Sequence, residues 1–190
     1  MTSMLLFLIQ IICTLFCAAL LLRAWFYFLR IPAFNPLVAN VMQLSNWLVL
    51  PLKKLFPDTR RIDLASLMGA YIVCAVQLIL MLLLVMGMQI KPLLIYIPLE
   101  ALITLAKNAL NLLFWLTLIY ALMSWLNPLS PAMTLFGALL EPLLTPIRSL
   151  PVLNRMQSID LSPMVLVILC QFLLIGLRNV SSPIFSLLMV

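Results

Sequence analysis

The sequence predicts an all-helical membrane protein of about four transmembrane helices, arranged as two parallel hairpin repeats. Each hairpin carries an amphipathic interfacial helix in its cytoplasmic loop. Three observations predict this. Of 190 residues, 66% are apolar and only 8% are charged, more apolar surface than a soluble core of this size absorbs. The apolar residues fall in uncharged runs, and roughly 20 such residues cross the ~30 Å of bilayer hydrocarbon. Finally, one phrase occurs twice between those runs. Pro36 is followed by Pro51, Lys53 and Asp63, and Pro131 by Pro146, Arg148 and Asp160, with Trp25 and Trp125 ahead of the two copies. A repeated hairpin in so apolar a chain is the mark of a duplicated membrane unit. The repeats divide as residues 1–88 and 89–190, in one membrane domain without a polar linker or soluble insert.

The first span reads from Leu5 to Leu22 and resumes from Ala24 to Leu29. It is expected to stay uncleaved, because Met1-Thr2-Ser3 lacks the basic n-region of a signal peptide. Ile12 and Phe16 precede Cys13 and Cys17, so no lipobox is present either. The second span reads from Leu64 to Met88, the third from Ala109 to Leu126 and the fourth from Leu161 to Leu177. Arg30, Lys53, Lys54, Arg60 and Arg61 follow the first span, with Arg23 just inside it, and Arg148 and Arg155 follow the third. Basic residues mark the cytoplasmic side, so both loops are expected there and both termini on the outer side. Lys53, Lys54, Arg60 and Arg61 read either as topology determinants or as a patch for anionic lipid or nucleic acid, and Asp58 and Asp63 dilute that charge. No nucleic-acid partner is expected.

Each loop opens with helix-start chemistry. Asn35-Pro36 and Ser130-Pro131 place a capping side chain before a proline suited to the first helical turn. Thr134, Glu141, Thr145 and Arg148 recur on one helical face, with leucines covering the rest. Pro51, Pro142 and Pro146 are expected to kink or end the loop helices. These helices read as lying in the interface, with re-entrance into the bilayer as the alternative. Asp63 and Asp160 precede the next spans as N-caps, the alternative being cation binding at the cytoplasmic mouth. Trp25 and Trp125 read as aromatic-belt residues. Ala65-x-x-x-Gly69 and Ser66-x-x-x-Ala70 would let another helix approach the second span closely.

Chemistry is sparse. The chain has no His, and its four cysteines form no Cys-x-x-Cys pair. No nucleophile–base pair, metal-ligand cluster or phosphate-cradling loop can be assembled, so a protein without catalytic activity, cofactor or metal is expected. What does stand out is a stripe at the start of the third span: Glu100, Thr104, Lys107 and Asn111, with Asn108 beside them. Gln77 and Gln171 lie in the second and fourth spans, fourteen and eleven residues after Asp63 and Asp160, spacings that point them in similar directions. Ionisable groups inside a membrane often mark ion or proton paths. The plainer alternatives are an interfacial segment over 92–106 with Lys107 snorkelling outward, or interhelical glue.

The motifs Leu22-Arg23-Ala24-Trp25, Pro51-Leu52-Lys53-Lys54 and Ile62-Asp63-Leu64-Ala65-Ser66 resemble the YggT family, also called YlmG. Met123-Ser124-Trp125, Glu141-Pro142-Leu143-Leu144-Thr145-Pro146-Ile147-Arg148 and Ile159-Asp160-Leu161-Ser162-Pro163-Met164 resemble it more closely still. The chain departs from the family pattern at Arg148-Ser149, where paired arginines are usual, and in the short stretch after Trp125. The resemblance implies a bacterial inner-membrane protein without enzymatic activity, of a family associated with osmotic and ion homeostasis. Plastid relatives have been associated with cytochrome assembly and nucleoid distribution. Two functions follow as expectations. One is a membrane scaffold or assembly factor whose loops dock a cytoplasmic or membrane protein. The other is an ion pathway lined by Lys107, Gln77 and Gln171, which in so small a protein requires a homo-oligomer.

Overall fold

The computed structural model describes residues 2–32, 35–56, 59, 62–126, 130–149 and 162–179, with 88–92, 131 and 179 through their backbone alone. These residues form six α-helices: α1 (Thr2–Phe28), α2 (Pro36–Leu55), α3 (Leu64–Met86), α4 (Ile97–Leu126), α5 (Pro131–Arg148) and α6 (Ser162–Asn179). A 3₁₀ segment, Gly87–Tyr96, joins α3 to α4, and no strand forms among the described residues. Three helices are long and apolar enough to cross a membrane: Thr2–Phe28, Leu64–Met86 and Leu93–Leu126. Ser162–Arg178 is a shorter apolar helix.

Local chemistry sets the boundaries. α1 ends where the Ile31 amide donates to the Phe26 carbonyl at 3.0 Å and the Arg30 amide to that of Tyr27 at 3.2 Å. This closing pattern holds Arg30 in the left-handed region at φ 54°, a place usually taken by glycine. The Asn35 side chain accepts from the Leu37 amide at 3.0 Å, with Pro36 in the first turn of α2. Ser130 caps α5 likewise, accepting from the Met133 amide at 3.2 Å. α3 ends at Gly87, whose φ of 60° and ψ of −132° suit a residue without Cβ.

Two expectations become more definite. The prolines end neither loop helix: α2 runs past Pro51 to Leu55, and α5 past Pro142 and Pro146 to Arg148. A proline costs one backbone hydrogen bond and a clash with the turn before it. In α2 and α5 that loss falls within the last two turns. The third apolar helix also begins well before Ala109, since α4 starts at Ile97 and carries Glu100 and Lys107 inside it.

The chain packs as two compact units, the first reaching Ala109 and the second running from Leu110 to Asn179. The boundary falls within α4. In the first unit Cys17 and Leu20 of α1, Val49 of α2, Ala70, Cys74 and Leu78 of α3 and Ala101 of α4 share one core. α2 approaches α3 closely at Gly69, where a Cβ would lie 3.3 Å from Leu52 and 3.5 Å from Leu48. The small-residue motif therefore receives a helix, as its spacing predicts, and that helix is α2. The first half of α1 leaves Leu5, Phe7, Leu8, Ile12 and Leu15 exposed, as a helix facing lipid does. In the second unit Tyr120 of α4, Leu140 and Leu144 of α5 and Leu166 and Cys170 of α6 form the core.

Candidate functional site

Polar groups inside the first unit gather in two places. The first lies where α1, α2 and α3 meet. Arg23 sits in the last turns of α1 and is buried. Its Nη1 donates to the Ser45 hydroxyl and to Asn46 Oδ1, each at 2.8 Å, and to the Met42 carbonyl at 3.2 Å, all on α2. Its Nε lies 3.5 Å from Asp63 Oδ2, and both side chains are nearly inaccessible. Asp63 in turn caps α3, accepting from the Ser66 amide at 3.0 Å and from the Ser66 hydroxyl at 2.6 Å. One guanidinium thus fastens three helices, and Asp63 both caps and pairs.

The cap was legible in the sequence, but Arg23 read only as a charge near a membrane end. Its partners lie 19 to 23 residues away on α2 and 40 away on α3, beyond any local spacing rule. The signal available was the pair Ser45-Asn46 in mid-helix, off the side that carries Asn40, Gln43 and Lys54. Aligning Trp25 with Trp125 puts Met123 in the place of Arg23. The second repeat uses its loop helix instead. Arg148 of α5 lies 3.3 Å from the Glu141 carboxylate and donates to the Tyr120 hydroxyl of α4 at 3.5 Å. The corresponding cation of the first repeat, Lys53, stands 5.9 Å above the ring of Tyr27.

The second gathering is the stripe on α4. Glu100 is fully buried, and Thr104, Lys107 and Asn108 are each 9% exposed. Neither charge is displayed at the surface. Asn108 donates to the Cys74 thiol at 3.6 Å, and that thiol lies 3.6 Å from Cys17, so α4, α3 and α1 are joined in series. Tyr71 donates to the Pro98 carbonyl at 3.1 Å. Thr117 and Thr145 each donate to the carbonyl four residues back, at 2.7 Å. Thr104 does not, and among the described residues its buried hydroxyl has no hydrogen-bond partner. The amide oxygen of Gln77, buried on α3, has none either. Buried polar atoms of this kind are few in native folds and call for an explanation.

The other expected positions divide. Asn111 continues the stripe but is exposed, beyond the end of the first unit. Gln171 is exposed on α6 in the second unit, whereas Gln77 is buried in the first. The two glutamines therefore do not share an environment. Spacing from aspartates in sequence carries no information about which face each helix buries. Trp25 is half-buried and stacks on Phe28 at 5.6 Å, while Trp125 is exposed. Asp160, Arg60, Arg61 and Arg155 lie outside the described residues. Among the described residues no group of His, Cys, Asp or Glu is arranged to hold a metal ion.

The two loop helices differ in what they leave outside. On α5, Leu135, Leu139, Leu140 and Leu144 are buried, and Thr134, Glu141, Thr145 and Arg148 stay on the open side, with the Thr145 hydroxyl 3.5 Å from Glu141. On α2, Val38, Ser45 and Val49 are buried, and the exposed residues include Leu37, Leu44, Trp47, Leu50 and Leu55.

Known sequences place these features in a family. The model of the CCB3/YggT family matches the chain twice, over residues 2–84 and 99–181. The chain is 34% identical over 175 residues to the uncharacterized protein YggT of Escherichia coli K12, covering 92% of this chain and 89% of that protein. It is 30% identical to an uncharacterized protein encoded in the proC 3′ region of Vibrio alginolyticus, over 94% of this chain and 95% of the relative. An uncharacterized protein of Haemophilus influenzae is 31% identical over 155 residues, 81% of this chain. No solved structure matches the chain significantly. With two family matches that between them span most of its length, this apolar helical chain belongs to the CCB3/YggT family as a tandem pair of repeats.

Proposed function

We propose that the protein is a non-enzymatic, multi-pass scaffold or assembly factor of a bacterial inner membrane, linked to osmotic and ion homeostasis. In this reading α1, α3, α4 and α6 each cross the bilayer as two parallel hairpins. α2 and α5 lie in cytoplasmic loops and both termini are periplasmic. The basic residues between α1 and α3 and at the end of α5 support that orientation. α6 is at the short end of the range that spans. The family resemblance is what supports the link to osmotic stress.

One observation carries the scaffold reading. α5 is anchored by its leucines, yet it holds an ordered polar face outward, with Glu141 and Arg148 already paired at 3.3 Å. A surface helix with a preset ion pair offers a partner charge and shape at little ordering cost. The test is crosslinking and purification of the full-length protein from its native membranes. Glu141→Ala/Arg148→Ala is expected to lose a co-purifying partner while membrane levels hold, because an exposed ion pair adds little to stability. An unchanged set of crosslinked proteins rules out docking through α5.

A second reading, an oligomeric ion pathway, is favoured by buried oxygens of Gln77 and Thr104 that have no hydrogen-bond partner among the described residues, with Thr104 on the same face of α4 as buried Glu100 and Lys107. It predicts potassium or sodium flux into proteoliposomes that Lys107→Leu abolishes with insertion intact. Correctly inserted wild type without flux eliminates it.

A further inference from the structure

We propose that the outward face of α2 is a binding surface for the headgroups of anionic phospholipid, a chemistry the matching helix of the second repeat does not share. The argument starts from the winding of the helix, at about 100° per residue. Asn40, Gln43, Trp47, Leu50 and Lys54 fall on one side of α2, and all five are exposed. Opposite them Val38, Ser45 and Val49 are buried against α1 and α3. Between these sides, Leu37, Leu44 and Leu55 form an exposed apolar edge. The other edge carries Asn46 and Lys53, held by Arg23 and over Tyr27.

A helix with a protein-facing side, an apolar edge and a polar edge fits only one setting. It lies in the plane of the membrane surface, apolar edge toward the acyl chains and polar edge toward water. Its remaining side then sits at the depth of the headgroups. On that side are the residue types that depth favours: an indole 68% exposed and a lysine about two turns further along. Phe16 of α1 stacks on Trp47 at 5.3 Å and fixes the indole, so the surface is preformed. Lys54 brings an exposed positive charge to this side, which makes phosphodiester anions the complementary ligand. On α5 the equivalent cation, Arg148, is offset by Glu141 3.3 Å away, and the exposed side holds threonines instead. Duplication has given one loop helix a lipid-facing chemistry and left the other polar.

Trp47 itself reports on the contact. The full-length protein is reconstituted in phosphatidylcholine vesicles doped with brominated phosphatidylglycerol or, in parallel, with brominated phosphatidylcholine. Subtracting the quenching of Trp47→Phe from that of wild type isolates Trp47. Brominated phosphatidylglycerol is expected to quench it at several-fold lower mole fraction. Lys54→Gln is expected to cut that preference about fivefold, and Lys53→Gln/Lys54→Gln to abolish it. Lys54 is exposed and Lys53 half-buried at the end of α2, so both variants are expected to insert. Equal quenching by the two lipids, or a preference that survives the double substitution, overturns the assignment. Absence of quenching by either lipid also overturns it and means that a second copy or another protein covers the face. The outcome is independent of whether α5 docks a partner.

Discussion

Arg23→Met is expected to destabilise the first unit by about 3–5 kcal/mol, the range for removing one partner of a buried ion pair. Methionine fills much of the same volume, and Met123 occupies the aligned position of the second repeat, so loss of packing is not the cause. What remains is the Asp63 carboxylate, 2% exposed, without the guanidinium 3.5 Å away. The Ser45 hydroxyl and Asn46 oxygen also lose a donor at 2.8 Å. Asp63→Asn tests the same network from the other end. Asparagine still caps the Ser66 amide, so its effect isolates the charge. Arg23→Met/Asp63→Asn removes both charges and is expected to recover part of the loss, a coupling seen as non-additivity in a double-mutant cycle. The measurement is unfolding of the reconstituted protein, with protease access to α2 as a local readout. Additive losses from the two single substitutions would show that Arg23 and Asp63 act separately.

The functional consequence follows from geometry. The same guanidinium that pairs with Asp63 makes three contacts to α2, so the loop helix is held by the end of one span and the start of the next. In the second repeat, α5 is tied to α4 through Arg148 and Tyr120, and the tie originates on the loop helix itself. A cation in the span leaves the outer side of α2 open to lipid. A cation on the loop helix, paired with Glu141, makes the outer side of α5 polar and nearly neutral. The two repeats thus keep one architecture while exchanging which helix contributes the arginine, and their exposed faces diverge as a result.

What was legible in the sequence was what depends on neighbours in sequence. Asn35, Ser130 and Asp63 cap the helices they precede because a capping bond spans two or three residues. The polar stripe from Thr134 to Arg148 stays outward because helical periodicity alone fixes which residues share a side. The α4 stripe is likewise one face, and burial of Glu100, Thr104 and Lys107 adds that this face is the inner one. Apart from the small-residue motif at Gly69, what packing between helices sets was illegible. Gln77 and Gln171 have similar spacings and opposite exposures, because the buried face of a helix is chosen by its neighbours. Arg23 looked like a topology charge because its role exists only once α2 folds back. For a related reason the prolines do not end their helices. Pro51 weakens α2 locally, but Val49 and Leu52 dock on either side of it, so tertiary packing holds the last turn.

Gly69→Leu is expected to separate α2 from α3 and to cost roughly 1–3 kcal/mol, the range for overpacking a filled core. Even a methyl at this position meets Leu52 at 3.3 Å, Leu48 at 3.5 Å and Leu20 at 3.7 Å. Alanine is the discriminating control, since the two nearest atoms are the ends of flexible leucine side chains that can shift a few tenths of an ångström. Gly69→Ala should therefore be nearly neutral, and helix propensity favours it. Leucine has no such room, and the residues that would have to yield are the ones that seat the loop helix. Because α2 is also held by Arg23, the displacement is expected to strain the contacts to Ser45 and Asn46, coupling Gly69→Leu to Arg23→Met. A disulfide or spin-label distance between α2 and α3 reads the separation directly. An unchanged distance in Gly69→Leu would mean that α2 docks by its polar network alone. An increase, absent in Gly69→Ala, establishes that the small-residue groove of α3 is what the loop helix of this family member is built to fill.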